Sequence, residues 1–415
     1  MEPELNTAVV IGAGIVGVSI CLQLQGAGFK VTLLDRCEPD IGASTGNAGA
    51  FAFADVLPLA TPGIIRAAPK WLLDPLGPLA IAPSYALSIA PWLLRFWRSS
   101  WSDRFPGLLN AQAGLMGLAR GALERQAADN QCESLLSRGG QLRLFEGETS
   151  FKNSQSYWDA CQQFGIQFDL LRSSGAISEV QPGISSQFTH AGYTSDWINT
   201  IDPKLWLEHL FSKFMSRGGY FKKERVERLE MHQSLTVIHG ETKPISAHFV
   251  IIAAGAWSHF LAQSIGDKIP LETERGYNTT LENIDFQLKT HLTFPEHGFV
   301  ISKIGELIRV GGAVELAGLV KAPNFKRSKD LLNKAQQFIP ELAGCNGAEW
   351  MGFRPSMPDS LPVISPSAKS KRVIYAFGHG HLGLTQAAAT AELVRLTVEG
   401  KQWPISPMPF AADRF

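Results

Sequence analysis

Cysteine is scarce in this chain. Cys21, Cys37, Cys132, Cys161 and Cys345 are scattered, odd in number, and form no Cys-x-x-Cys pair. That spacing excludes a disulfide framework and a zinc site, and it fits thiols in a reducing compartment. Excess charge is also missing: 38 Lys+Arg balance 38 Asp+Glu. No bulk attraction to nucleic acid or anionic lipid follows. Charged residues make up only 18% against 45% hydrophobic, which excludes a disordered, solvating chain. The start, Met1-Glu2-Pro3-Glu4, is acidic and lacks the basic and apolar regions of a signal peptide, so a cytoplasmic protein is expected. An uninterrupted apolar run is lacking too. Pro75 to Leu94 carries no charge, but Pro75, Pro78, Pro83 and Pro91 break it, which excludes a transmembrane helix. Two readings of 71–97 stay open. One is a buried proline-rich excursion. The other is a peripheral contact with the inner face of the cytoplasmic membrane through Trp71, Leu72, Leu73, Trp92, Leu93, Phe96 and Trp97, beside Lys70, Arg95 and Arg98. No Ser-His-Asp or paired-carboxylate constellation, internal repeat or low-complexity linker is visible.

What the chain does have is length and glycine. Its 415 residues suggest two or three domains. Glycine numbers 39, against roughly 29 at ~7% usage. Residues 8–12 read as a buried strand, 15–27 as a helix and 30–35 as a second strand, a βαβ opening with short connections. The stretch 56–130 reads as helix and loop, 139–145 as an exposed strand, 202–217 as a helix and 225–240 as strands. A third buried strand is expected at 249–254. Strand signals dominate 271–315, and 327–339 reads as a helix. A last buried strand, 372–377, runs into Gly378-His379-Gly380-His381-Leu382-Gly383 and a helix to about Glu399. Strand–glycine–helix signatures at both ends enclose an antiparallel-looking insert. The fold class is therefore α/β: a discontinuous Rossmann-like nucleotide-binding domain plus an α+β domain with an antiparallel sheet. The expected division gives 1–85, 151–265 and 343–415 to the nucleotide-binding domain, and 86–150 and 266–342 to the substrate domain.

Gly12-Ala13-Gly14-Ile15-Val16-Gly17 fits Gly-x-Gly-x-x-Gly between a strand and a helix, the context that gives the pattern meaning. Gly12 serves the tight turn, Gly14 the close approach of a pyrophosphate, and Gly17 helix–sheet packing. Phosphates would meet free N–H groups and the positive end of a helix dipole. Asp35 ends the second strand about 20 residues on, where a carboxylate accepts from ribose hydroxyls. The small polar loop Ser44-Thr45-Gly46-Asn47-Ala48-Gly49-Ala50 follows. The motif alone does not separate FAD from NAD.

The sequence resembles the D-amino-acid oxidase superfamily of FAD-dependent oxidoreductases, most of all its bacterial D-amino-acid dehydrogenase and D-hydroxyproline dehydrogenase members. The resemblance rests on 9–17 with Asp35-Arg36, on Ser44 to Gly49, on 57–63, and on Val250 to Ser258. It continues through Arg275-Gly276-Tyr277, Gly352-Phe353-Arg354-Pro355, and Gly378 to Thr385. It implies an extended FAD, with pyrophosphate on the first glycine loop, ribose on Asp35-Arg36, and adenine against the backbone of Val226. Ser44, Thr45 and Asn47-Ala48-Gly49 would pass beside pyrophosphate and flavin. Ala254-Gly255 would end a strand lining the cofactor. Gly378, Gly380, Leu382, Gly383, Leu384 and Thr385 would set N–H groups and a helix N-terminus at the flavin edge where reduced flavin carries negative charge. The implied reaction is oxidation of a D-amino acid by hydride transfer from Cα to flavin N5, with a quinone or other carrier taking the electrons; the alternatives are a glycine, sarcosine or opine oxidase-like amine-oxidising subunit and a non-catalytic flavin-bearing partner subunit.

The same resemblance places a carboxylate-binding arginine at Arg354, whose planar guanidinium suits a carboxylate bidentately. It places a substrate-facing tyrosine at Tyr277, and puts Lys303 where related enzymes often carry a second arginine. His379 and His381 are expected at the flavin edge and substrate, with proton handling in reach. They are too isolated for a metal site.

Overall fold

The computed structural model describes residues 6–39, 41–64, 79–232 and 235–415. Its first sheet has six strands. Thr7–Ile11 sits inside it, parallel to Lys30–Asp35 on one side and Phe249–Ile252 on the other. Tyr220–Lys223 extends it beyond Lys30–Asp35, and Val373–Phe377 beyond Phe249–Ile252, with Val363–Pro366 as antiparallel edge. The inner strands Thr7–Ile11, Phe249–Ile252 and Val373–Phe377 are short apolar runs rich in β-branched residues because both faces are covered. Val10, Leu33, Ile251 and Ile374 meet the helices Ile15–Gly26, Phe105–Asn130, Pro203–Ser216 and Gly383–Val398. Val9, Leu34, Val250 and Tyr375 meet a small three-stranded sheet and the helix Ser258–Ser264. Surrounded in this way, Ile15–Gly26 is apolar on nearly all sides rather than along one stripe.

The second sheet has nine strands. Glu272–Leu281 lies between Gly347–Ser356 and Leu307–Leu316, both antiparallel to it. Phe299–Ile304, His291–Phe294, Gln141–Phe145, His190–Thr194 and Asp169–Leu171 follow in that order, and the ninth strand, Leu79–Ile81, pairs parallel with the end of Leu307–Leu316. Leu281, Phe294, Phe299 and Val310 pack with Leu331, Ala335 and Phe338 of the helix Lys326–Phe338. The register between the first two strands sets Glu274 opposite Arg354, Gly276 opposite Gly352, and Asn278 opposite Trp350. Alternation puts these six on one face.

Several elements depart from expectation. Gln141–Phe145 is not an exposed strand. It is buried because strands pair on both of its sides. Gly347–Ser356 is a ten-residue strand that its glycines and Pro355 conceal. It is the sheet's edge, where proline costs no ladder bond. Within 71–97, residues 71–78 lie outside the described residues. The remainder is the strand Leu79–Ile81, a short turn at Pro83–Tyr85 and the helix Ala86–Ser99, which buries Ile89 and Trp92 against Leu316 and leaves Leu87, Leu94 and Trp97 exposed. Among the described residues no helix is long and apolar enough to cross a membrane.

Candidate active site

One cavity of about 1090 Å³ runs between the two sheets. At one end stand Asp35, Glu224 and Val226, and at the other Glu274, Arg354 and His381. The first end is made largely by backbone. Gly12 has φ +115°, and a Cβ there would lie 2.3 Å from the Ala253 carbonyl oxygen. Only glycine can hold that turn. The Asp35 carboxylate fixes the turn by accepting from Ala13 N–H at 2.7 Å and from Cys37 N–H at 3.0 Å. Ile15 N–H, at the start of the helix, donates to Ser44 Oγ at 3.0 Å. The helix N-terminus and the Ser44 loop therefore meet at the cavity wall, where an anionic pyrophosphate is best received. Arg36 stacks 3.7 Å over the Trp257 ring, and both line the cavity.

The loop that crosses the middle of the cavity is held from within and from outside. Asn47 donates to the Ser44 carbonyl at 2.8 Å and accepts from Gly49 N–H at 2.8 Å. Asn278 donates to the Gly46 carbonyl at 2.7 Å, and Arg309 to the Asn47 carbonyl at 2.6 Å. Trp350 lies flat enough against Gly46 and Gly352 that neither could carry a side chain.

At the far end, Gly380 N–H donates to the Pro355 carbonyl at 2.7 Å, tying the second glycine loop to the edge strand. The helix Gly383–Val398 begins there, and Gly383 and Leu384 line the cavity. The positive end of a 16-residue helix thus faces it. His379 is buried, hydrogen-bonded to Thr390 at 2.9 Å, and burial pulls its pKa down to about 3. His381 is an exposed side chain on the wall of the cavity. Confinement, aided by Arg354, outweighs Asp55 and Glu274 and holds it toward neutral imidazole.

Arg354 lies over Gly276: a Cβ there would meet its guanidinium at 2.4 Å. The glycine of Arg275-Gly276-Tyr277 is therefore the space that lets the guanidinium lie flat on the sheet. One Arg354 nitrogen donates to the Ala313 carbonyl at 3.2 Å. Burial lowers its pKa, with Glu274 opposing, but a guanidinium stays charged.

Residues 7–395 match the family described as DAO: FAD dependent oxidoreductase. The chain belongs to that family. A D-amino-acid oxidase of Bradyrhizobium diazoefficiens is 33% identical, with 100% of each chain covered. A D-amino acid dehydrogenase of Rhizobium rhizogenes is 27% identical over 98% of this chain and 99% of its own. Glycine oxidase from Geobacillus kaustophilus has the same fold, with TM-score 0.80 and 18% identity over 98% of both chains. The protein is thus an FAD-dependent oxidoreductase, and the cavity fits the cofactor this family uses. It is long enough for an extended dinucleotide, has a glycine-built helix N-terminus near one end, and has a second helix N-terminus at the other.

The cavity gathers most of the residues expected from sequence. Gly12, Gly14, Ile15, Val16, Asp35, Arg36, Ser44, Asn47, Ala48, Val226, Ala254, Gly255, Gly380, Gly383, Leu384, Arg354, His379 and His381 line the cavity. Ala13, Gly17, Thr45, Gly49, Gly378, Leu382 and Thr385 stand one layer behind. Thr385, for example, accepts from Ala52 N–H at 2.9 Å. Two positions need correction. Lys303 is outside the cavity, half exposed and paired with Glu306 at 3.2 Å, because alternation along Phe299–Ile304 turns it to solvent. Tyr277 contributes to the wall, but its hydroxyl is engaged elsewhere. It donates to Glu315 at 2.5 Å and accepts from Asn324 N–H, in a buried network with Arg275. Arg309, Trp350, Trp257, Asn278 and Glu274 were not foreseen. Period-two spacing with Gly276 or Arg354 is the signal that marks Glu274, Asn278 and Trp350.

Proposed function

We propose that the protein oxidises small D-amino acids at Cα, proline-like ones among them, and passes the electrons to a quinone or similar carrier. The observation that carries this reading is Arg354. It is a guanidinium in the cavity wall, held by one carbonyl and opposed by no carboxylate of the described residues at ion-pair distance. A substrate carboxylate supplies the missing partner, and a forked, charge-assisted pair fixes one end of the molecule. Holding the substrate in one orientation is then the protein's main catalytic contribution. When bound, FAD supplies the hydride acceptor. The helix N-terminus at Gly383 offers positive potential to negative charge developing nearby. The neutral His381 can accept or relay a proton at the cavity wall.

The names of the relatives, an oxidase and a dehydrogenase of D-amino acids, support the D series. The exposed Leu87, Leu94 and Trp97 suit a peripheral contact where such a carrier is lipid-borne. Steady-state rates on D-proline, D-alanine, sarcosine and glycine, each with a dye or with oxygen, test the reading. Turnover of D-amino acids with the dye is expected. Turnover of sarcosine or glycine without D-amino acids would overturn it.

A further inference from the structure

Arg354 has a neighbour whose chemistry the foregoing reading does not use. Glu274 stands directly across the ladder from it. Both line the cavity, and Glu274 is 7% exposed. Directly opposed side chains on one sheet face are separated by only about 5 Å at Cβ, so a Glu–Arg pair there would ordinarily close on itself. This one does not. Arg354 leans over Gly276 and bonds the Ala313 carbonyl. The Glu274 carboxylate makes no hydrogen bond or ion pair with any described residue. The other carboxylate at this end, Asp55, is already engaged: Tyr157 donates to it at 3.4 Å and Arg143 stands 3.9 Å away. Buried carboxylates are costly without a partner, and among the described residues the standing charge whose field reaches Glu274 and compensates it is that of Arg354, with the His381 ring beside it.

That compensation disappears when a ligand carboxylate pairs with Arg354. A ligand bringing a cation on the adjacent atom restores the balance, whereas one bringing only a carboxylate leaves Glu274 uncompensated. We propose that Glu274 receives the substrate's ammonium group, so that the Glu274–Arg354 couple selects a zwitterion and rejects simple carboxylic acids. This rests on the amino-acid reading of the site and adds to it the residue that recognises the amine. It also explains why the two side chains are held apart: a couple that closed on itself would have to be broken by every substrate.

The test compares two ligands that differ by one ammonium group and cannot both be confused with turnover. 2-Aminoisobutyrate has no Cα–H to lose, and isobutyrate is the same acid without the amine. Calorimetric titration of the FAD-loaded protein is expected to show the zwitterion binding about ten- to a hundredfold more tightly. In Glu274→Gln that preference should vanish or invert, with isobutyrate binding more tightly than to the wild type. Glu274→Asp should keep the wild-type order. A general loosening of the site would weaken both ligands together, so opposite movement of the two is the signature. An unchanged ratio in FAD-replete Glu274→Gln would overturn the assignment while leaving the amino-acid site standing. Failure of both ligands to bind the wild type would instead overturn the amino-acid reading, and this inference with it.

Discussion

The two ends of the cavity are built from different materials. The nucleotide end is shaped by backbone: a glycine turn, helix N–H groups and one carboxylate that braces the loop. The substrate end is shaped by side chains standing on a sheet face, Glu274 and Arg354 from two strands and His381 from a loop. Backbone sites tolerate no added atoms, and side-chain sites tolerate no lost ones. Substitutions at the two ends should therefore fail in different ways.

The largest effect is expected from adding a Cβ at the backbone end. Gly12→Ala forces a methyl against the Ala253 carbonyl at a positive φ, at a cost of ~3 kcal/mol or more. The purified protein should lose most of its flavin, read from the ratio of visible to ultraviolet absorbance, and melt earlier. A flavin-replete Gly12→Ala would break the contrast. At the other end, Arg354→Ala should leave flavin content intact and lower kcat/KM by ~2–4 kcal/mol. Arg354→Lys should recover little, because lysine lacks the fork.

The histidines sharpen the comparison through pH. His379 titrates near 3 in the folded protein but near its ordinary value of 6.5 when unfolded. Between those values the unfolded chain binds a proton that the native one does not, so stability falls as pH falls. The slope is up to ~1.4 kcal/mol per pH unit for one histidine. Urea unfolding of His379→Gln should show a shallower acid limb between pH 6.5 and 3. An identical limb would mean that the ring is not held neutral. The smallest effects separate two cations. Arg309→Met, which frees the Asn47 carbonyl, should weaken FAD retention by ~1–2 kcal/mol in dialysis. Lys303→Ala should stay within ~0.5 kcal/mol of wild type in retention and kcat/KM. A reversed order would place Lys303 in the cavity rather than at the solvent-facing position paired with Glu306.

The same contrast decides what was legible in the sequence. The backbone end lies within a βαβ unit, where glycine spacing and Asp35 are local signals. The inner parallel strands read directly because both of their faces are buried, whereas the partly exposed Tyr220–Lys223 gives no such signal. The substrate end depends on register between strands about 80 residues apart, which no local pattern fixes. Arg354 and His381 were reached through family resemblance. Glu274 and Trp350 gain their meaning only when the ladder is seen. Tyr277 and Lys303 show the cost of that limit. Each sits on a strand as expected, but one directs its hydroxyl into a network with Glu315, and the other points to solvent.

The proposed reaction is oxidation, at Cα, of an amino acid whose carboxylate Arg354 holds in this cavity. Its most direct test is an anaerobic titration of the FAD-loaded protein with D-alanine and D-proline, in wild type and Arg354→Ala, following the flavin absorbance. The account predicts rapid bleaching of the wild type by at least one of them, and bleaching slowed at least ~30-fold in the variant at equal substrate. A wild type that stays yellow with every D-amino acid, or a variant that bleaches at the wild-type rate, would contradict it.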